Sequence, residues 1–307
     1  MIKQLLFLAL GICAVIFTAA WIFQVRQDFN GRKEREFAWP SLRDCGIGLV
    51  TLFLDTLGIG AFATTTAFFK LWHLVPDEEI PGTLNVGITL PAVAEGFIYM
   101  SVVDVDIKTL TLMIAASALG AWFGAGIVAR WPRRKIQIGM GITLLVTAAF
   151  LLMKLFNLLP IGGDLMGLDG YRLGIAIAAN ALLGALMTLG IGFFAPCMMV
   201  VYLLGMSPRA AFPIMMGSVA FLGTVGSIQF IKQKRYRWKS AIGMTLGGIP
   251  GVLLAAYLVR ELPLTLLRWL VFCVMIYTAV MMLRSAIRER GAKIQSTTPP
   301  DTLEVKA

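Results

Sequence analysis

Nine apolar segments punctuate the chain, at 5–23, 45–72, 84–103, 109–129, 136–156, 173–204, 210–231, 240–259 and 263–283. A helix needs about 20 apolar residues to cross about 30 Å of hydrocarbon. Each segment meets that length, so the chain is expected to fold inside a bilayer. Composition agrees: of 307 residues, 58% are hydrophobic and 14% charged, and the mean hydropathy is +0.80. Soluble domains carry about 25% charged residues, and no globular interior of this size hides so much apolar surface. A secreted enzyme, a cytosolic enzyme and a disordered scaffold are thereby excluded. The excess of 27 basic over 17 acidic residues, a net +10, sits in short clusters between apolar runs. Such clusters mark cytoplasmic loops, so the expected partner is lipid rather than nucleic acid.

Little here serves metal or thiol chemistry. Cys13, Cys45, Cys197 and Cys273 fall in separate apolar segments, no Cys-x-x-Cys occurs, and the one histidine is His73. Neither a disulfide framework nor a metal cluster is expected. A Gly-x-x-x-x-Gly-Lys-Ser/Thr run is also missing, so nucleotide-driven work would need a second chain. No cofactor is expected.

The first segment has the look of a signal peptide, with Lys3 ahead of it and Thr18-x-Ala20 near its end. Arg26, Arg32, Lys33, Arg35 and Arg43 follow within the next twenty or so residues. That cluster resists translocation, so residues 1–44 are read as an uncleaved anchor and a basic loop, with the N-terminus outside. The polar stretch 285–307 reads as a cytoplasmic tail.

Segments 45–72 and 173–204 are longer than the others, and glycines interrupt both. Thr56-Leu57-Gly58-Ile59-Gly60-Ala61-Phe62-Ala63 matches Thr188-Leu189-Gly190-Ile191-Gly192-Phe193-Phe194-Ala195 at seven of eight positions, 132 residues apart. The same offset superposes Leu71 on Leu203, Pro76 on Pro208 and Pro81 on Pro213. The chain therefore contains an internal duplication, 45–157 and 173–284, joined by a linker at 158–172.

Charge placement orients the halves. If each glycine-broken segment re-enters on its own side, 20 of the 27 basic residues fall on one side, in loops 24–44, 70–83, 130–135, 232–239 and after 283. Loop 104–108 has one basic residue where its counterpart 232–239 has five, whereas 130–135 has four where 260–268 has two. The bias changes sign between halves. The expected fold is an all-α polytopic membrane protein with two inverted repeats. Each repeat holds a glycine-broken, re-entrant helix and three crossings, and one extra N-terminal helix precedes them.

Helix breaks in lipid survive only where protein or a water-filled cavity satisfies the freed backbone. Two inverted breaks would aim helix ends and their free N–H groups at one point, a site suited to an anion. Glycine fits the turn because it reaches positive φ and admits close approach of a ligand. Gly58, Gly60, Gly190 and Gly192 are accordingly the candidate site. Gly120/Gly124 and Gly247/Gly251, four apart on helix faces, read instead as close-packing positions, and Gly124→Ala is expected to be tolerated or only mildly destabilising.

These features together resemble the sulfite exporter TauE/SafE family of bacterial anion transporters. The first copy supplies Gly58-Ile59-Gly60, Gly82-Thr83-Leu84-Asn85 and Gly120-x-x-x-Gly124 with Arg130-Trp131-Pro132. The second supplies Gly190-Ile191-Gly192, Tyr202 to Pro208, and Gly247-x-x-x-Gly251 with Arg260 and Leu262-Pro263-Leu264. The resemblance covers roughly 45–284. Departures touch the site: Ala61-Phe62 and Phe193-Phe194 stand where the family has a third glycine and Val-Pro-x-Leu. The resemblance implies a plasma-membrane secondary transporter, an exporter of sulfite, an organosulfonate or a related oxyanion. Thr56, Thr83, Asn85 and Thr188 would assist the half-helix ends in binding the solute. A passive anion channel, or an intramembrane enzyme or accessory factor, is the alternative. Hydrolysis needs a Ser–His or paired-Asp constellation that one edge histidine and one deep aspartate do not make.

Ionisable residues within the segments are few. An ionised side chain at that depth costs about 3 kcal/mol or more and marks function by default. Glu95 lies inside 84–103 and Asp55 adjoins the first break, with Met187 as its counterpart. Both are candidate proton carriers. Asn180 is the other deep polar residue, and Lys70 and His73 read as anchors at the membrane edge.

Overall fold

In the computed structural model, residues 2–30, 39–158, 162–190, 192–258, 269, 272–273 and 276–288 are described. Arg32, Lys33, Arg35, Ile191, Arg260, the Leu262-Pro263-Leu264 stretch, part of segment 263–283 and the tail beyond 288 lie outside them. The helices are α1 (Ile2–Asn30), α2 (Leu42–Thr56), α3 (Ala61–Leu71), α4 (Ile80–Val102), α5 (Ile107–Val128), α6 (Arg133–Leu155), α7 (Gly170–Met187), α8 (Phe194–Leu203), α9 (Pro208–Lys232) and α10 (Trp238–Leu258). A further helical run, α11, covers 276–288. The described residues hold no strand, only an isolated bridge between Leu165 and Met206. Backbone groups in lipid must be satisfied internally, which leaves helices as the open choice.

Six of these helices, α1, α5, α6, α7, α9 and α10, are long and apolar enough to cross a membrane. The two long segments of the sequence appear as α2 with α3 and α7 with α8, interrupted at the expected glycines. α4 spans 23 residues but carries Thr83, Asn85, Thr89, Pro91 and Glu95, all buried. It is a central helix whose polar groups meet protein rather than lipid.

The core is built on α4 against α9. Most of α9 is inside the protein, whereas α1 packs on its flank and turns Leu5, Leu8, Ile12, Val15 and Ile16 outward. Two further crossings correspond under the duplication, α5 on α7 and α10 on α2. Both are glycine contacts: a Cβ on Gly120 would strike the Ala181 carbonyl, and one on Gly251 would strike the Leu49 carbonyl. Leu49 and Ala181 are 132 residues apart, so Gly120 answers to Gly251; the shared Gly-x-x-x-Gly spacing had instead paired it with Gly247. The packing role holds, but the expected tolerance of Gly124→Ala does not. Its Cβ would stand 2.6 Å from the Ala185 carbonyl oxygen, against backbone that has no room to yield.

Loops gather at two ends. At one, Lys70 bonds Asp77 at 2.6 Å, Arg133 reaches Asp77 at 3.4 Å and Glu78 at 3.6 Å, and the Arg237 amide donates to Thr83 Oγ1 at 2.9 Å. Asp44, in the first turn of α2 beneath its Ser41 capping box, packs on Gly243 near the start of α10. At the other end, Lys108 pairs with Asp169 at 2.8 Å, and the amides of Asp106 and Ser207 donate to the carbonyls of Met166 and Leu165. Asp106 caps α5 by accepting from the Thr109 amide at 2.8 Å. Loops 70–83, 130–135 and 232–239, the last two basic, thus share one end, and loops 104–108 and 164–169 share the other.

Candidate functional site

The two breaks meet. Gly58, Ile59 and Gly60 of the first and Gly190 and Gly192 of the second line one cavity of about 30 Å³, closed by Phe62, Ala63, Phe194, Ala195 and by Thr147 and Leu151 of α6. A second gap of about 10 Å³ lies against Gly60, Gly192, Phe193, Phe194, Met187 and Asp55. These volumes suit about one water, so a larger solute requires the breaks to part.

Local geometry explains the glycines and separates them. Gly58, Gly60 and Gly190 hold φ of +76°, +97° and +100°, the left-handed region that other residues resist. A Cβ on Gly192, the counterpart of Gly60, would meet Thr147 Cγ2 at 3.2 Å. The second half-helix also begins at a different place. α3 starts at Ala61 with Gly60 as its N-cap, whereas α8 starts at Phe194 with Phe193 as its N-cap. The repeats therefore diverge by one residue at the turn.

Asp55 closes the first half-helix. Its Oδ1 accepts from the Ala61 amide at 2.6 Å, and its carbonyl accepts from Gly58 N at 2.7 Å. A carboxylate satisfying an orphan N–H at a helix start is a standard stabilising arrangement. Met187 stands where Asp55 would, so α8 has no equivalent carboxylate at its start. Of the two half-helix ends that the sequence nominates for an anion, one is thus already covered by a carboxylate and the other is not.

Glu95 lies on α4 beside the same break, fully buried, with Oε1 2.6 Å from Thr56 Oγ1. Among the described residues its Oε2 has no hydrogen-bond partner. Thr56 Oγ1 also stands 2.9 Å from the Leu52 carbonyl, yet a hydroxyl has one proton. When Thr56 donates to Leu52, the Glu95 contact needs a proton on Glu95. When Glu95 is ionised, Thr56 must turn its proton toward it and release the carbonyl. Proton occupancy at Glu95 is thereby tied to the last turn of α2, next to Gly58. Tyr99, one turn beyond Glu95, donates to the Thr56 carbonyl at 2.8 Å and stacks on Phe212. The sequence reading missed Tyr99, although its i+4 spacing from Glu95 was a usable signal. It also missed Thr147 and Leu151, whose place at the cavity depends on how α6 packs.

The other candidates divide. Thr188 is buried with its hydroxyl on the Ala185 carbonyl at 2.7 Å, and Asn85 Nδ2 lies 2.8 Å from the Pro81 carbonyl and 3.5 Å from that of Thr188. Both belong to the second break. Thr83 is brought elsewhere: it bonds the Glu79 carbonyl and receives the Arg237 amide, which ties α4 to the basic loops. Asn180 bridges the Met113 carbonyl and Ser218 Oγ at 2.8 and 3.0 Å, joining three helices. With the threonine hydroxyls engaged by their own helices, the donors best placed for an anion are backbone amides. Among the described residues no three His, Cys, Asp or Glu side chains gather as metal ligands.

Long apolar helices broken in pairs around a buried polar centre define a multi-pass α-helical membrane protein with an internal site. The chain belongs to the sulfite exporter TauE/SafE family, whose model matches residues 1–151 and 172–304. That family is one of membrane exporters, and the match extends the likeness across α1 and into the tail. No curated protein and no solved structure matches the chain.

Proposed function

We propose that the protein is a secondary transporter, an exporter, that moves a small anion such as sulfite, an organosulfonate or a related oxyanion across the plasma membrane. The observation that carries this reading is the shared cavity. Gly58 and Gly60 meet Gly190 and Gly192 around it, and the α8 N-terminus, with Met187 in place of an aspartate, lies with Asp55 around the smaller gap. An anion docking there adds a second negative charge beside the Asp55 carboxylate. Like charges that close are not both retained in a dry site, so docking calls for proton uptake or for Asp55 to leave Ala61. Thr56, Asn85 and Thr188 shape the two ends of the break region, and Glu95 holds the coupled proton. Alternating access rocks one repeat against the other and opens the cavity to each side in turn.

The test is solute flux in proteoliposomes, comparing sulfite, taurine-like sulfonates and thiosulfate under an imposed pH gradient. Uphill movement of one of them is expected. Flux that stays downhill under every gradient would reassign the protein as a channel.

The same reading takes the halves as inverted repeats, 45–157 and 173–284, with both broken segments re-entrant, the N-terminus outside and the C-terminus cytoplasmic. It is supported by the partners of their ends: Asp44 and Lys70 both lie among the basic loops, while Asp169 and Met206 lie among the others. In a background free of native cysteines, cysteines at Arg134 and Lys234 are expected to be labelled only from the cytoplasm, and one at Asp164 only from outside. Labelling of position 134 from outside would restore two parallel halves.

A further inference from the structure

Beside the basic loops lies a cleft of about 470 Å³, well apart from the breaks. Its walls carry Lys70 from the end of α3, Arg133 from the start of α6, Arg237 ahead of α10, and Arg284 and Arg288 from α11. Phe69, Val75, Pro76 and Met281 floor it. A cytoplasmic excess of Lys and Arg by itself requires only that such residues share a side of the membrane. It does not require cations from four separate elements to converge on one concave space.

Among the described residues the charges inside do not balance. Asp77 is the carboxylate in the wall. Burial would raise its pKa, but hydrogen bonds from Lys70 and Gln137 and the charges of Lys70 and Arg133 outweigh that and hold it below the ordinary carboxylate value. Asp77 thus stays ionised and is committed to Lys70, Gln137 and Arg133. Glu78 and Glu79 stand 3.6 Å from Arg133 and 3.9 Å from Arg237. Arg284 and Arg288, one turn apart on the same face of α11, have no carboxylate partner among the described residues and repel each other. His73, exposed at the rim with φ of +51°, adds a further donor.

We infer that this cleft is a second anion site, separate from the breaks, which takes a compact oxyanion between Arg284, Arg288 and the Lys70–Arg133–Arg237 wall. Planar guanidinium forks match the spacing of oxyanion oxygens and bind them in pairs. The apolar floor lowers the local dielectric and strengthens each contact. The volume falls within the range of small-ligand sites. α3 connects the two places: it begins at the first break and ends on the cleft, 11 residues long, or about 16 Å at 1.5 Å per residue. The oxyanion is either a free solute or a lipid phosphate, since both present the same oxygens to the same forks.

The experiment uses full-length protein in nanodiscs of neutral phosphatidylcholine, titrated with sulfate and with sulfite by calorimetry. It is repeated in discs containing phosphatidylglycerol. Arg284→Gln combined with Arg288→Gln is expected to weaken binding by about tenfold or more, because charge-assisted bonds are removed from exposed positions that the fold does not need. Arg134→Gln with Lys135→Gln, cations of the same face outside the cleft wall, should leave it unchanged. Binding in neutral discs that depends on Arg284 and Arg288 supports the site and identifies a free solute as its occupant. Stabilisation only by phosphatidylglycerol, with the same dependence, supports the site and identifies lipid. Affinity that ignores the Arg284/Arg288 pair, or that falls equally in the Arg134/Lys135 pair, overturns it. Binding is read without flux, so the outcome stands whether or not the breaks transport.

Discussion

Gly60→Leu and Gly190→Leu are each expected to bring solute flux below detection while the protein still inserts and purifies. At both positions φ is near +100°, where a residue with a Cβ is strained by about 1–3 kcal/mol. The strain acts at the turn that joins two half-helices, not in the packed bundle. At Gly60 a Cβ would touch nothing within 4 Å, so the variant has space to exist. The leucine side chain then fills a cavity of about 30 Å³ that has no room for it and for a solute. Alanine separates the two effects. Gly60→Ala and Gly190→Ala keep the strain and are expected to lose flux by about tenfold, at 1.4 kcal/mol per factor of ten. Initial rates in proteoliposomes, normalised to inserted protein, measure all of these. Parental rates in both leucine variants would make the glycines mere spacing devices and move the site elsewhere.

Glu95→Gln is expected to keep binding and counterflow exchange but to lose concentrative transport driven by a pH gradient, by about tenfold or more. The amide preserves shape, and its N–H can donate to Thr56 Oγ1 as a protonated carboxyl would. Thr56 then stays bonded to the Leu52 carbonyl, and the last turn of α2 no longer senses a proton. Free exchange of solute needs no net proton movement, so counterflow survives. Uphill transport equal to that of the parent would make Glu95 structural. The driving force would then be another ion, or the anion's own charge in the membrane potential. Asp55 is the natural comparison. Asp55→Asn retains an acceptor for the Ala61 amide, so the turn should persist in both variants.

How much of this was legible in the chain can be judged residue by residue. The glycine pairs announced both breaks, and the 132-residue offset announced that they were copies. Glu95 and Asp55 stood out because an ionised group within an apolar run is costly in lipid. Their partners did not stand out. That Asp55 covers Ala61, that Glu95 shares a proton with Thr56, and that Tyr99 holds the Thr56 carbonyl are consequences of α2, α3 and α4 meeting. Thr83 shows the opposite case: its motif drew it to the site, but its position on the first turn of α4 carries it to the basic loops.

The linear sequence determined the solvent, the helices and the duplication, because hydropathy, segment length and repeated motifs are properties of neighbouring residues. It also nominated the loops that would share a side, since charge placement follows the membrane and not the packing. What only the tertiary structure decided is which surfaces touch. Gly124 is intolerant because the Ala185 backbone lies against it. α8 starts one residue later, relative to its repeat, than α3 does. Arg284 and Arg288, read in the chain as two cations of a cytoplasmic flank, become part of a cleft only when α11 is laid against α3 and α6. Contacts between residues hundreds of positions apart depend on helix rotation and depth, and neither is written in local periodicity.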